Sequence, residues 1–172
     1  MFGLVSGIIH EIVDKTISKS SLLFLGIDGA GKTTLIEKIM QIVIPNRKPK
    51  TIRQTLGLNT DMINDGKISL RVWDLGGKPD FRNIWNNYLP DATAVVYVVN
   101  GKQDTRIHET RKLFDDITCR FTKPMAIVFL NSDRSILDIF PAADRAKVYF
   151  IDIENKDNLM LLYEWMKSTA QK

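Results

Sequence analysis

The sequence is poor in residues that cross-link or ligate. Its single cysteine, Cys119, excludes an internal disulfide and is consistent with a reducing compartment. The two histidines, His10 and His108, stand in no metal-ligand spacing with Cys119, which argues against a zinc site. No apolar run approaches the ~18 to 20 residues of a membrane span, and no cleavable signal peptide is evident. Internal repeats, low-complexity stretches and nucleic-acid recognition motifs are also missing. Charge is nearly balanced: 24 Lys and Arg against 20 Asp and Glu leave +4. The basic cluster Arg47-Lys48-Pro49-Lys50, with Arg53, reads either as a face for anionic lipid or an acidic partner, or as a solvated loop. What remains is 172 residues, 44% hydrophobic and 26% charged, suited to one globular domain with a sizeable core.

Residues 26–33 read Gly-Ile-Asp-Gly-Ala-Gly-Lys-Thr, a complete Gly-x-x-x-x-Gly-Lys-Thr phosphate-binding loop. Each residue type has a task. The backbone of Asp28, Gly29, Ala30 and Gly31 can turn its N–H groups onto phosphate oxygens. Lys32 can reach the β- and γ-phosphates, Thr33 offers a hydroxyl to magnesium, and Thr34 continues the cradle. The apolar run Ser21–Leu25 before the loop reads as a buried strand, and 34–40 after it has helical spacing. Strand, glycine loop and helix N-terminus together make the anion site that this motif requires.

A second half follows. Residues 67–73 alternate polar and apolar and end in Asp74-Leu75-Gly76-Gly77. Asp74 at the end of a strand can hold magnesium through water, and the Gly77 N–H can approach a γ-phosphate. Thr55, after the polar stretch that follows Pro49, reads either as a second magnesium hydroxyl or as an ordinary loop threonine. Strands are expected near 21–26, 58–64, 67–74, 93–100, 125–131 and 147–152, and helices near 32–43, 105–119 and 157–170. That alternation predicts an α/β fold, a doubly wound, mostly parallel six-stranded sheet flanked by helices.

These motifs resemble the ADP-ribosylation factor (Arf) and Arf-like small GTPases. The resemblance rests on 26–34, on Thr-Leu-Gly-Leu-Asn at 55–59 and on Val-Trp-Asp-Leu-Gly-Gly at 72–77. Arg82, Trp85 and Tyr88 continue it through the second switch. Thr55 and Asp74 lie 19 positions apart, a short inter-switch hairpin with Asn64-Asp65-Gly66 suited to its turn. Similarity is close to about residue 100 and loose beyond. It implies the P-loop small-GTPase fold over 20–172, GTP or GDP with Mg2+ as ligands, and Thr33, Thr55 and Asp74 as the metal set. It also implies a switch in membrane trafficking, cytoplasmic and peripherally held on Golgi or other endomembranes, with an exchange factor, an activating protein and effectors as partners. Leu58, Trp73 and Tyr88 match the family's apolar-aromatic effector patch, although Trp73 reads equally well as core.

The N-terminal segment 1–15 carries Leu4, Val5, Ile8, Ile9, Ile12 and Val13 at helical spacing. It is expected to be an amphipathic helix, either packed on the domain or entering a membrane surface reversibly. Phe2 in place of glycine excludes N-myristoylation. The opening Met1-Phe2 is similar to the Arf-related subgroup, which uses an acetylated initiator methionine.

Departures from the family pattern are equally informative. Lys78 follows Gly77, where the family places a glutamine that orients the attacking water. Lysine has no acceptor for that water, so slow hydrolysis is expected. Lys78 lies either near the γ-phosphate or in solvent. The family's Asn-Lys-x-Asp base-reading motif becomes Asn131-Ser132-Asp133-Arg134. Asn131 matches, but Arg134 cannot accept the guanine hydrogen bonds; Asp133 would substitute if the loop shifted by one residue. Asp152-Ile153-Glu154 is a poor match to the last base-contacting loop, and Asn100-Gly101-Lys102-Gln103-Asp104 reads as a decoy. The alternative to a working switch is therefore a pseudo-GTPase scaffold with relaxed or lost guanine selectivity. A short helix or only a loop is expected around 135–146.

Overall fold

In the computed structural model, the described residues are 19–64, 66 and 68–170. The expected helix over 1–15 lies outside them. The elements run β1 (Lys19–Leu25), α1 (Lys32–Val43), β2 (Leu58–Asn64), β3 (Ser69–Leu75) and a 3-10 turn at Pro79–Ile84. They continue through α2 (Trp85–Tyr88), β4 (Ala94–Asn100), α3 (Ile107–Arg120), β5 (Met125–Leu130), β6 (Lys147–Ile151) and α4 (Lys156–Ala170).

The six strands form one sheet in the order β2-β3-β1-β4-β5-β6. Only the β2–β3 pair is antiparallel, with Asn64 opposite Ser69 at its turn end; the turn residue Asp65 lies outside the described residues. The other pairs are parallel, and β1 is central, with Leu22 beside Val72 of β3 and Ala94 of β4. Such strands are covered on both faces and so read as continuous apolar runs, as Ala94–Val99 and Met125–Leu130 do.

The period of two along β1 divides the core. Leu22 and Phe24 face one cluster, completed by α1 residues Leu35, Ile39 and Met40 and by α4 residues Leu162 and Met166. Leu23 and Leu25 face the other, with Trp85, Phe114, Ile117 and Phe129. The segment expected to be a short helix or loop forms two 3-10 turns, Arg134–Asp138 and Pro141–Arg145. They are part of the core. Phe140, 1% exposed, stands edge-on to Phe129 at 5.4 Å and to Phe114 at 6.1 Å. Phe140 thereby anchors the two turns in the core on that face.

Because β1, β3, β4 and β5 run in parallel, their carboxyl ends lie along one edge. The loops at 26–31, 76–78, 101–103 and 131–133 all emerge there, where an open α/β sheet binds its ligands.

Candidate functional site

The phosphate-binding loop joins β1 to α1. Gly31 caps α1 with φ 94°, a left-handed conformation that a side chain rarely adopts, and a Cβ there would lie 2.8 Å from Leu130 Cδ1. Ala30 is fully buried and its N–H donates to the Ile27 carbonyl at 3.3 Å. Asp28, Gly29, Gly31, Lys32, Thr33 and Thr34 line a cavity of about 320 Å3, closed on the far side by Thr55 and Gly77. The N-terminal amides of α1 point their partial positive charge at this space.

Lys32 is 6% exposed and donates to the carbonyls of Gly26 at 2.8 Å and Ile27 at 2.9 Å. Burial pushes its ammonium down to about 8, against the pull of Asp74 and Asp28. A buried ammonium short of charge compensation at the wall of this cavity is suited to a phosphate.

Beside it three oxygens converge. Thr33 Oγ1 donates to Asp74 Oδ2 at 2.5 Å, Thr55 Oγ1 donates to the same oxygen at 2.9 Å, and the two hydroxyls are 3.1 Å apart. Asp74 is 4% exposed, and its Oδ1 is buried with no hydrogen-bond partner among the described residues. Two hydroxyls and one carboxylate, with one of its oxygens orphaned, are hard donors that fit Mg2+. Thr33, Thr55 and Asp74 would hold the ion, which when bound neutralises charge on phosphate oxygens. Thr55 thus stands with Thr33 and Asp74, held by its hydroxyl and not loose in solvent.

Gly77 approaches the loop so closely that a Cβ would lie 2.3 Å from Asp28 N and 2.4 Å from Gly26 O. Arg82 fixes it there: Nε donates to the Gly77 carbonyl at 2.7 Å and Nη1 pairs with Glu109 at 2.7 Å. Arg106 joins Asp28 and Glu109, each at 2.9 Å. The Arg106 hydrogen bond holds the Asp28 carboxyl below its usual range, outweighing burial. Gln103 Nε2 donates to the Asp28 carbonyl at 3.2 Å. Sequence reasoning missed Gln103, Arg106 and Glu109. Their spacing as Gln-x-x-Arg-x-x-Glu across a helix start was the available signal, but nothing in it named Asp28 as the target. The segment 100–104, read as a decoy for the base motif, supports the phosphate loop instead.

The segments expected to contact the base are arranged differently. Asn131 adopts φ 51° and its Nδ2 donates to Asn100 Oδ1 at 3.3 Å. Asp133 caps the 3-10 turn that follows: Oδ1 accepts from the Ser135 amide at 2.9 Å and its hydroxyl at 2.5 Å, and these bonds lower its pKa. Arg134 lies over the Phe150 ring, 5.6 Å from the centroid. Glu154 pairs with Lys38 at 2.6 Å. Lys78 is half-exposed, and among the described residues its side chain has no hydrogen bond or ion pair.

Comparison with known proteins settles the family. The ADP-ribosylation factor family model matches residues 6–159. The chain belongs to the Arf family. It is similar to ADP-ribosylation factor-like protein 13B of Chlamydomonas reinhardtii, 32% identical over 148 residues, covering 86% of this chain and 27% of that protein. It is also similar to ADP-ribosylation factor-related protein 1 of Rattus norvegicus, 31% identical over 120 residues, 68% of this chain and 59% of that one. The chain thus spans about a quarter and about three fifths of these relatives' lengths. The fold matches the Arl6 BBS3 small GTPase of Trypanosoma brucei, solved with the nucleotide analogue GppNp. The TM-score is 0.75 at 18% identity, over 89% of this chain and 98% of that one. The family match extends well beyond residue 100, where the resemblance in motifs is loose.

In this Arf-family chain the three residues of the expected effector patch are adjacent but unequally exposed. Trp73 is 9% exposed and stands edge-on to Tyr88 at 5.2 Å, while Leu58 and Tyr88 are half-buried. Trp73 is therefore mainly core. The basic cluster is partly spent within the chain, since Arg47 pairs with Glu37 and Lys50 with Asp61, leaving Lys48 and Arg53 facing solvent.

The depressed Lys32 gives the phosphate site a pH dependence. Below about pH 8 Lys32 is charged before binding; above it, binding must take up a proton. GDP affinity is expected to be flat below that pH and to fall by up to ~tenfold per pH unit above it. Fluorescence titration of GDP across this range measures the slope, and Lys32→Met should bind weakly with no slope of this kind.

Proposed function

We propose that the chain is a Mg2+-dependent GTP/GDP switch acting at endomembrane surfaces, with slow intrinsic hydrolysis. The observation that carries the reading is Thr55: a loop residue 22 positions from Thr33 places its hydroxyl on Thr33 and Asp74, closing the loop over the phosphate cavity. A loop that completes a metal site in one nucleotide state and leaves it in the other is an order–disorder switch. Family membership supports guanine nucleotide as the ligand. The N-terminal stripe over 1–15 supports a reversible membrane contact, and one short amphipathic helix implies a protein partner there as well. Exchange factor, activating protein and effectors are the partner classes this reading requires.

Lys78 supports slow turnover, because it offers no acceptor to position water. Preloaded GTP should be hydrolysed very slowly in a single turnover. Lys78→Gln should raise the rate about tenfold, or ~1.4 kcal/mol of barrier. A lysine form that is faster than the glutamine form would give Lys78 a catalytic part and overturn this reading.

A second reading, relaxed base selectivity, is favoured by Asp133 and Arg134, whose side chains are engaged with Ser135 and Phe150. Competition of GTP, ATP and XTP against fluorescent GDP should show discrimination reduced by about 1–3 kcal/mol, the cost of unsatisfied polar groups that a dedicated carboxylate would impose on the wrong base. Exclusive GDP binding that Asp133→Ala abolishes would instead make Asp133 the base reader.

For the membrane contact, full-length protein loaded with a triphosphate analogue should sediment with anionic liposomes, and a form lacking 1–15 should remain in solution while still binding nucleotide. Absence of sedimentation in both nucleotide states would leave the segment a structural role only.

A further inference from the structure

Asp28 is held at two points by one turn. The Gln103 N–H donates to the Asn100 carbonyl at 3.0 Å, and the Arg106 N–H donates to the Gln103 carbonyl at 2.9 Å. The chain thus passes from the end of β4 through a single 3-10 turn into α3. Residues three apart on such a turn point the same way. Gln103 and Arg106 accordingly both reach Asp28. Gln103 Nε2 donates to its carbonyl at 3.2 Å, and Arg106 Nη2 donates to its Oδ1 at 2.9 Å. The root of the turn is tied to β5, since Asn131 Nδ2 donates to Asn100 Oδ1 at 3.3 Å.

Gln103 lies flush on the phosphate loop. Gly29 has φ 75°, and a Cβ there would meet Gln103 Nε2 at 2.6 Å, so glycine makes room for this side chain. Gln103 Oε1 is buried with no hydrogen-bond partner among the described residues. A half-satisfied amide in the interior costs stability, so stability does not explain its presence. Its donor is spent on the Asp28 carbonyl, and that carbonyl belongs to the peptide plane that carries the Gly29 N–H. No peptide bond among the described residues is cis, and in a trans peptide the C=O and N–H point in opposite directions. With the carbonyl turned to Gln103, the Gly29 N–H points away from it. Gly29 lines the phosphate cavity and Gln103 does not. Among the described residues this N–H has no hydrogen-bond partner.

We infer that Gln103 is a positioning residue for the nucleotide: by holding the Asp28 carbonyl from behind, it aims the Gly29 N–H at a phosphate oxygen in the cavity. This rests on the reading of the cavity as a nucleoside di- or triphosphate site. The same bond strengthens the donor, because a hydrogen bond accepted by the C=O polarises the N–H of its plane. Without Gln103 the plane is free to turn, since glycine on its far side resists rotation little. Arg106 holds the Asp28 side chain and so does not replace this bond.

Proton–nitrogen NMR of the full chain, titrated with GDP and Mg2+, tests this at the atom concerned. In the unmodified protein the Gly29 amide proton should move downfield on binding, together with those of Gly31, Lys32 and Thr33. Gln103→Met keeps the side-chain length and removes the donor. In that variant the Gly29 amide should lose most of its movement while Gly31, Lys32 and Thr33 keep theirs. Release of fluorescent GDP and GppNHp should both accelerate about fivefold, the net worth of one neutral hydrogen bond. Gln103→Glu has the same shape but sets an acceptor against the Asp28 carbonyl. It should show the same loss at Gly29 and still faster release. A Gly29 amide that keeps its full movement in both variants would overturn the inference and leave the nucleotide site intact. Equal loss at Gly29, Gly31, Lys32 and Thr33 would make Gln103 a general support of the loop and would also overturn it. If no loop amide of the unmodified protein responds to GDP with Mg2+, the nucleotide reading fails and the inference fails with it.

Discussion

One carboxylate oxygen organises the site. Asp74 Oδ2 accepts from Thr33 at the start of α1 and from Thr55 on the loop before β2, while its own residue lies in β3. Three segments distant in sequence are thereby brought within hydrogen-bonding distance at one atom. Burial makes the arrangement obligatory, since a carboxylate taken out of water needs donors or a cation. The orphaned Oδ1 is the part of that requirement the described side chains do not meet.

Around it, charge is paired in two layers. Asp28, Arg106, Glu109 and Arg82 bind the phosphate loop to α3 and to the second switch, ending on the Gly77 carbonyl. Glu37, Arg47, Lys50 and Asp61 bind the first loop to α1 and to β2. Neither layer uses an acid or base for chemistry. In both, each arginine head is held by two partners, Arg82 by Gly77 and Glu109, Arg106 by Asp28 and Glu109, and Arg47 by Glu37 and Asp61, which gives arginine a geometric function that lysine would fill less well. The first layer braces the glycine loop, and the second fastens the first loop to the helix and strand beside it.

Most of the fold was legible because its signals are local. The apolar runs at Leu22–Leu25, Val95–Val99 and Ala126–Leu130 mark buried parallel strands, and the helix over 32–43 begins and ends as its spacing implies. The residues that line the cavity at the glycine loop and those that meet at Asp74 were legible too, because their order and spacing are themselves the signal. Contacts made only by tertiary approach were not. Nothing in the sequence near Arg106 points to Asp28, and a basic run at 47–50 reads as a solvated loop until Glu37 is seen facing it. Phe140 was hidden for a related reason: a lone aromatic between two short 3-10 turns has no periodicity, although it fills the core beside Phe129. Asp133 and Arg134 could be read as departures, but their actual partners, Ser135 and Phe150, come from the turn geometry and from β6.

The central place of β1 also governs how the chain can reach this state. β1 leaves the ribosome before any other described strand, yet its two neighbours supply Val72 and Ala94, and the Ser20 hydroxyl donates to the Ala170 carbonyl across 150 residues. No local hairpin can bury Leu22 to Leu25. Loop closure over long separations must come first, which places this fold among the slower single domains. During synthesis Leu22 and Phe24 of β1 lack their α4 partners Leu162 and Met166 until α4 has emerged, and an apolar strand waiting that long is open to association.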